Sequence, residues 1–125
     1  MNNYKYIALF TPIFFTLTAS AQQDPSYDVY RTYHTATDLM DKGKYVAAAE
    51  QFRLVETSRL QTTTQPKYES QLSLVKENAQ YYEAFCAMQL GNDDAESLIL
   101  KFSKDHPENP LTKLAFFEIG KYYFK

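Results

Sequence analysis

Any chemistry in this chain would have to come from its histidines, its cysteine or a pair of acids. His34 and His106 are the two histidines, and Cys86 is the single cysteine. A structural zinc site takes about four such ligands, and these three do not stand at ligand spacing. A reactive thiol needs a basic or His-rich neighbourhood, which the residues around Cys86 do not supply. On its apolar stretch Cys86 reads instead as a small buried hydrophobe. Asp93-Asp94 is an acid pair, but adjacent acids ahead of a helix ordinarily cap it. Ser58 and Ser73 have no base nearby, and the three glycines form no phosphate-cradling loop. These residues predict no catalysis, no cofactor and no metal. The net charge of −2 gives no basic face for nucleic acid. What remains is surface, and the elements that must present it are helices.

The pattern from Pro25 onward is helical throughout. Asp24-Pro25 is a cap followed by proline at the first helical position. Val29, Tyr30, Tyr33, Ala36, Thr37 and Met40 then recur at helical spacing, up to Gly43. A very short turn leads into a second helix over Tyr45–Arg59, with Ala48, Ala49, Phe52 and Val55 apolar, and forces an antiparallel hairpin. Leu60–Lys67, with three consecutive Thr and Gln65 before Pro66, reads as a break. A third helix spans Pro66–Leu90, with Tyr68, Leu72, Val75, Ala79, Tyr82, Phe85, Cys86 and Met88 as its stripe, and Gly91 ends it. Asp93 with Glu96 has the spacing of a capping box for a fourth helix. That helix runs to about Lys104 and turns Ala95, Leu98, Ile99 and Phe102 inward. His106-Pro107 stops it, and Asn109-Pro110 starts a fifth that continues to Lys125. Leu111, Leu114, Phe117 and Tyr122 form the stripe of this last helix, widened by Phe116, Ile119 and Tyr123. There is no strand alternation and no hairpin-turn dipeptide.

The first 21 residues read differently. Lys5 precedes the apolar run Tyr6–Thr18, and Ala19-Ser20-Ala21 has the form of a cleavage site. Together they predict a secretory signal peptide, with an uncleaved anchor as the alternative. Cleavage after Ala21 leaves 12 basic and 15 acidic side chains, a charge of −3. No cysteine stands at the junction to carry a lipid. An exported domain with one cysteine has no internal disulfide and must rely on core packing.

Two stretches share nearly the same spacing, the second one residue shorter between its glycine and the following alanine. Ala36…Gly43…Ala48…Phe52 and Ala84…Gly91…Ala95…Ile99 each have a small residue, a glycine seven positions on, an alanine in the next helix and a bulky residue four further. Ile119-Gly120…Tyr123 begins the unit again. This resembles the tetratricopeptide repeat (TPR), over about Pro25 to Lys125. The Ala36-to-Ala84 spacing of 48 exceeds the family period of 34, the excess falling around Leu60–Glu77. A generic array of helical hairpins is the alternative. The joint F-x-x-x-H-P-x-N-P…A-x-F-x-I-G-x-Y-Y, at Phe102–Tyr123, is similar to linkers in exported envelope TPR proteins of the Tol-Pal accessory and barrel-assembly type. His106 stands where those have Tyr.

The resemblance implies an all-α fold of five helices, stacked as antiparallel hairpins in a right-handed solenoid over residues 22–125. It implies a concave face lined by the first helix of each hairpin. Carried onto this sequence, that face comprises Tyr30, Tyr33, Thr37 and Met40; Asn78, Tyr81, Phe85 and Met88; and Phe117, Lys121 and Phe124. Side chains of these types suit peptide docking, although several could equally pack between helices. The function implied is an exported, non-catalytic scaffold for a protein or peptide partner in the periplasm or cell envelope, with only indirect membrane association. The alternative is a structural N-terminal cap of a longer solenoid whose recognition surface lies elsewhere. The unpaired apolar face of the fifth helix leads us to expect further repeats after Lys125, or dimerisation if the chain ends there.

Overall fold

A computed structural model of the chain describes residues 25–59 and 66–124. The leader read over 1–21 and most of the break read over 60–67 lie outside them. Among the described residues there are five helices and no strand: α1 (Pro25–Asp41), α2 (Tyr45–Thr57), α3 (Pro66–Leu90), α4 (Ala95–Asp105) and α5 (Leu111–Tyr123).

The ends of α1 and α3 are built alike. Gly43 and Gly91 take left-handed φ angles of 70° and 69°, which a residue with a Cβ adopts only under strain. After α1, the Gly43 amide donates to the Met40 carbonyl (2.9 Å) and the Lys44 amide to the Leu39 carbonyl (2.9 Å). After α3, Gly91 donates to Met88 (3.2 Å) and Asn92 to Ala87 (3.0 Å). Both pairs are Schellman closures, which use up carbonyls the helix leaves free. Each turns the chain back within a few residues, so α2 returns along α1 and α4 along α3.

The shared spacing becomes shared burial. Ala36 and Ala84, Ala48 and Ala95, and Phe52 and Ile99 are all buried. They belong to two cores. Val29, Ala36, Ala48, Phe52, Val55, Leu72, Ala79 and Cys86 form the first, between α1, α2 and α3. Tyr81, Ala84, Ala87, Met88, Ala95, Ile99, Phe102 and Ala115 form the second, between α3, α4 and α5. Helix α3 serves both, and Tyr82 packs against each. Its ring stacks on Phe52 at 5.4 Å and meets Tyr81 edge-on at 5.2 Å. Tyr68, read as part of the α3 stripe, is exposed, because it lies a turn beyond Leu72, the first core residue of that helix.

Two local readings change. Helix α2 ends at Thr57, two residues before the predicted Arg59. Ser58 takes an extended conformation there and its hydroxyl donates to the Val55 carbonyl (2.7 Å). The Lys76 ammonium then caps the end from α3, donating to the Ser58 carbonyl (2.5 Å), where a cation complements the helix dipole. The capping box at Asp93 and Glu96 does not form. Asp94 precedes α4 in a helical conformation with no side-chain cap bond, whereas a capping side chain needs the extended geometry that aims it at the following amides. The apolar face expected to lie unpaired on α5 is uncovered in the structure. Thr112 and Ala115 face inward, while Leu114, Phe116 and Phe117 are exposed.

Alanine at position 43 or 91 must hold the left-handed angle against its Cβ. Gly43→Ala and Gly91→Ala are each expected to lower unfolding stability by about 1 kcal/mol, measured by urea denaturation. Equal or greater stability would mean that the two turns are not closed by glycine.

Candidate functional site

The predicted face divides between surface and core. Tyr30, Thr37, Met40, Asn78 and Phe85 are half-buried on α1 and α3. Tyr33 is half-buried too, but its ring packs against Phe52 (5.9 Å) and Tyr82 (6.4 Å). Burial, with the neighbouring Tyr82, raises its pKa. Tyr81 is only 4% exposed. Its ring lies 5.5 Å from Phe102, and burial, aided by Glu118 and Tyr82, pushes its hydroxyl up to about 12. Both tyrosines are therefore packing residues here, and truncating them would damage the fold before it touched a partner. Met88 is largely buried, while Phe117, Lys121 and Phe124 are exposed on α5.

One cleft draws on this set. Met88 and Gln89 at the end of α3 face Glu118, Lys121 and Tyr122 of α5 across a space of about 180 Å³. Lys121 is held by Glu118 (3.1 Å) and lies 5.6 Å over the Phe117 ring. The cleft thus has a thioether floor, an aromatic wall and a polar rim. Tyr30, Tyr33, Thr37 and Met40 belong to the α1 end of the molecule and do not line it.

The joint after α4 sets the position of α5, through contacts that helical spacing does not foretell. Asn109 is buried. Its carbonyl oxygen accepts from the Leu111 amide (2.9 Å), the cap expected of it. Its amide nitrogen donates to Glu77 (3.0 Å) and Asn78 (3.2 Å) on α3. His106 is hydrogen-bonded to Gln80 (2.7 Å) and lies 3.7 Å from Glu77. Thr112 closes the turn, its hydroxyl donating to the His106 carbonyl (2.6 Å). His106 is thus a packing and hydrogen-bonding residue. His34, the other histidine, is exposed on α1 beside Tyr33.

A second polar cluster joins α2, α3 and α4. Glu56 and Glu83 border a small cleft of about 40 Å³ with Gln80, Leu98, Lys101 and Phe102. Burial, then the hydrogen bond and charge of Glu56, raise Glu83 to about 7; Arg53 opposes the shift and Asp94 adds to it. The Glu83 carboxyl therefore keeps its proton well above the usual carboxylate range. Neither stood out in the sequence, because the pair exists only once α2 lies against α3. Burial and the nearby Glu83 push the Cys86 thiol up to about 11, which keeps it protonated and unreactive. No group of three or more His, Cys, Asp or Glu that could hold a metal ion occurs among the described residues. No family model, no curated protein and no solved structure matches the chain.

Two outcomes follow. Glu83 is raised above its ordinary value of 4.5, so its stabilising protonated form is fully present below about 4.5 and is lost as pH rises through about 7. The denaturation midpoint should fall between about pH 5 and pH 8, and Glu83→Gln should flatten the fall; an unchanged slope in that variant would clear Glu83. Asn109→Ala removes the α5 cap and leaves Glu77 and Asn78 short of a donor. A loss of about 2 kcal/mol is expected, and a loss under about 0.5 kcal/mol would show the joint to be replaceable.

Proposed function

We propose that the chain is an exported, non-catalytic TPR-type scaffold that holds a protein or peptide partner in the bacterial cell envelope. The observation that carries this reading is the cleft between α3 and α5, lined by Met88, Gln89, Glu118, Lys121 and Tyr122. In a tetratricopeptide array the first helices of successive hairpins line the concave surface, and α3 and α5 hold those positions in our reading. The paired glycine closures and the matched burial of Ala36/Ala84, Ala48/Ala95 and Phe52/Ile99 support a repeated unit. A peptide crossing the cleft would meet an adaptable thioether and a rigid ring, side chains that give contact area at low entropic cost. Gln89 and Lys121 can bind its carbonyls. Residues 1–21 act as the export signal in this reading, and contact with the membrane is indirect. No helix among the described residues is long and apolar enough to cross a membrane.

Two measurements test the proposal. Peptides selected for binding to the chain are titrated by fluorescence anisotropy against Lys121→Glu combined with Gln89→Ala, and against the remote exposed Leu54→Ala. The double variant should weaken binding at least tenfold and the remote one should leave it unchanged; equal binding by all three removes the cleft. For export, the protein recovered from the envelope fraction should begin at Gln22. Recovery only from the cytosol, with residues 1–21 intact, removes that part of the reading.

A further inference from the structure

Helix α5 carries large apolar side chains beyond the side that is covered, interleaved with Lys113, Glu118 and Lys121. Thr112 and Ala115 are buried, with Leu111 and Ile119 beside them. Leu114, Phe116 and Tyr123 are half or more exposed, Phe117 is 63% exposed and Phe124 93%. An exposed apolar patch beyond a few hundred Å² marks an interaction surface. Each of the four rings carries about 150–250 Å², so their exposed fractions with Leu114 amount to roughly 600 Å². Two such faces set together would remove on the order of 1,200 Å² from water, the lower end of a specific interface. The other large exposed apolar residues, such as Tyr27, Val46, Leu54, Leu74 and Leu100, are spread over the four other helices.

The face is suited to its own copy. A two-fold contact uses the same patch on both partners, so the patch must not repel itself. Its cations are Lys113 and Lys121, and Lys121 is neutralised by Glu118 at 3.1 Å. In an antiparallel pairing Lys113 of each copy falls opposite the last turn of the other α5, where free carbonyls favour a cation. Gly120 stands amid this surface with no atom within 4 Å of where a Cβ would lie, which leaves room for a close helix crossing. We propose that α5 is the two-fold interface of a homodimer, with a second copy docked antiparallel across Leu114, Phe117, Gly120 and Phe124.

The full 125-residue chain is measured by size-exclusion chromatography with light scattering from about 1 to about 100 µM. The expected mass is twice the 14.5 kDa of one chain. Phe117→Asp with Phe124→Asp should return it to one chain with an unchanged helical circular dichroism spectrum. Lys113→Glu, a milder change, should raise the dimer dissociation constant about tenfold, and Leu54→Asp on α2 should leave it unaltered. A wild-type chain that stays monomeric at 100 µM overturns the proposal. So does a dimer that survives both the double variant and Lys113→Glu, because association then runs through another surface. A monomer whose α5 face is instead occupied by a different protein, or by further repeats, overturns it in favour of that occupant.

Discussion

Everything in this molecule leans on one row of rings. Tyr33 packs on Phe52 at 5.9 Å, Phe52 on Tyr82 at 5.4 Å and Tyr82 on Tyr81 at 5.2 Å. Tyr81 then packs on Phe102 at 5.5 Å and Phe102 on His106 at 5.4 Å. The row starts in α1, passes through α2 and α3, and ends where α4 stops. Two neighbouring tyrosines on α3 face opposite cores and carry it across that helix. Such ring pairs add to the area they bury, and here they also join two cores that share no other helix. Because both cores are built on α3, loosening one removes support from the other.

Polar groups do a different job. They decide orientation where apolar pattern leaves it open. Asn109 and Thr112 fasten the start of α5 to α3 and to the end of α4, and this anchoring turns Ala115 inward and Phe117 outward. The energy of that choice is modest beside the burial of the cores. It nevertheless determines which aromatic side chains become surface, and therefore what the molecule can present to another.

Much of the architecture was legible from punctuation. Pro25 and Pro66 begin α1 and α3, and Gly43 and Gly91 close them, because proline and glycine constrain φ regardless of context. The inward residues of α4 were legible too, since a helix with one covered face has one stripe. Helices α3 and α5 resisted the same treatment. Each is apolar on more than one side, and a wheel cannot say which side meets which neighbour. Tyr81 and Met88 look like groove residues on a wheel, and they are buried because α4 and α5 close over that side. The Asp93–Glu96 spacing failed for a local reason, the helical backbone at Asp94. Glu56 with Glu83, and Asn109 with Glu77, were invisible because the partners lie 27 and 32 residues apart in the chain.

The bond from Lys76 to the Ser58 carbonyl has a consequence for how the chain can change length. It ties the end of α2 directly to the middle of α3, 18 residues on. The two hairpins are thus registered by a contact between helices and not by the tether that links them. Closing a longer tether costs only about 0.6 kcal/mol for each doubling. A change of length between Ser58 and Pro66 would therefore leave this bond in place.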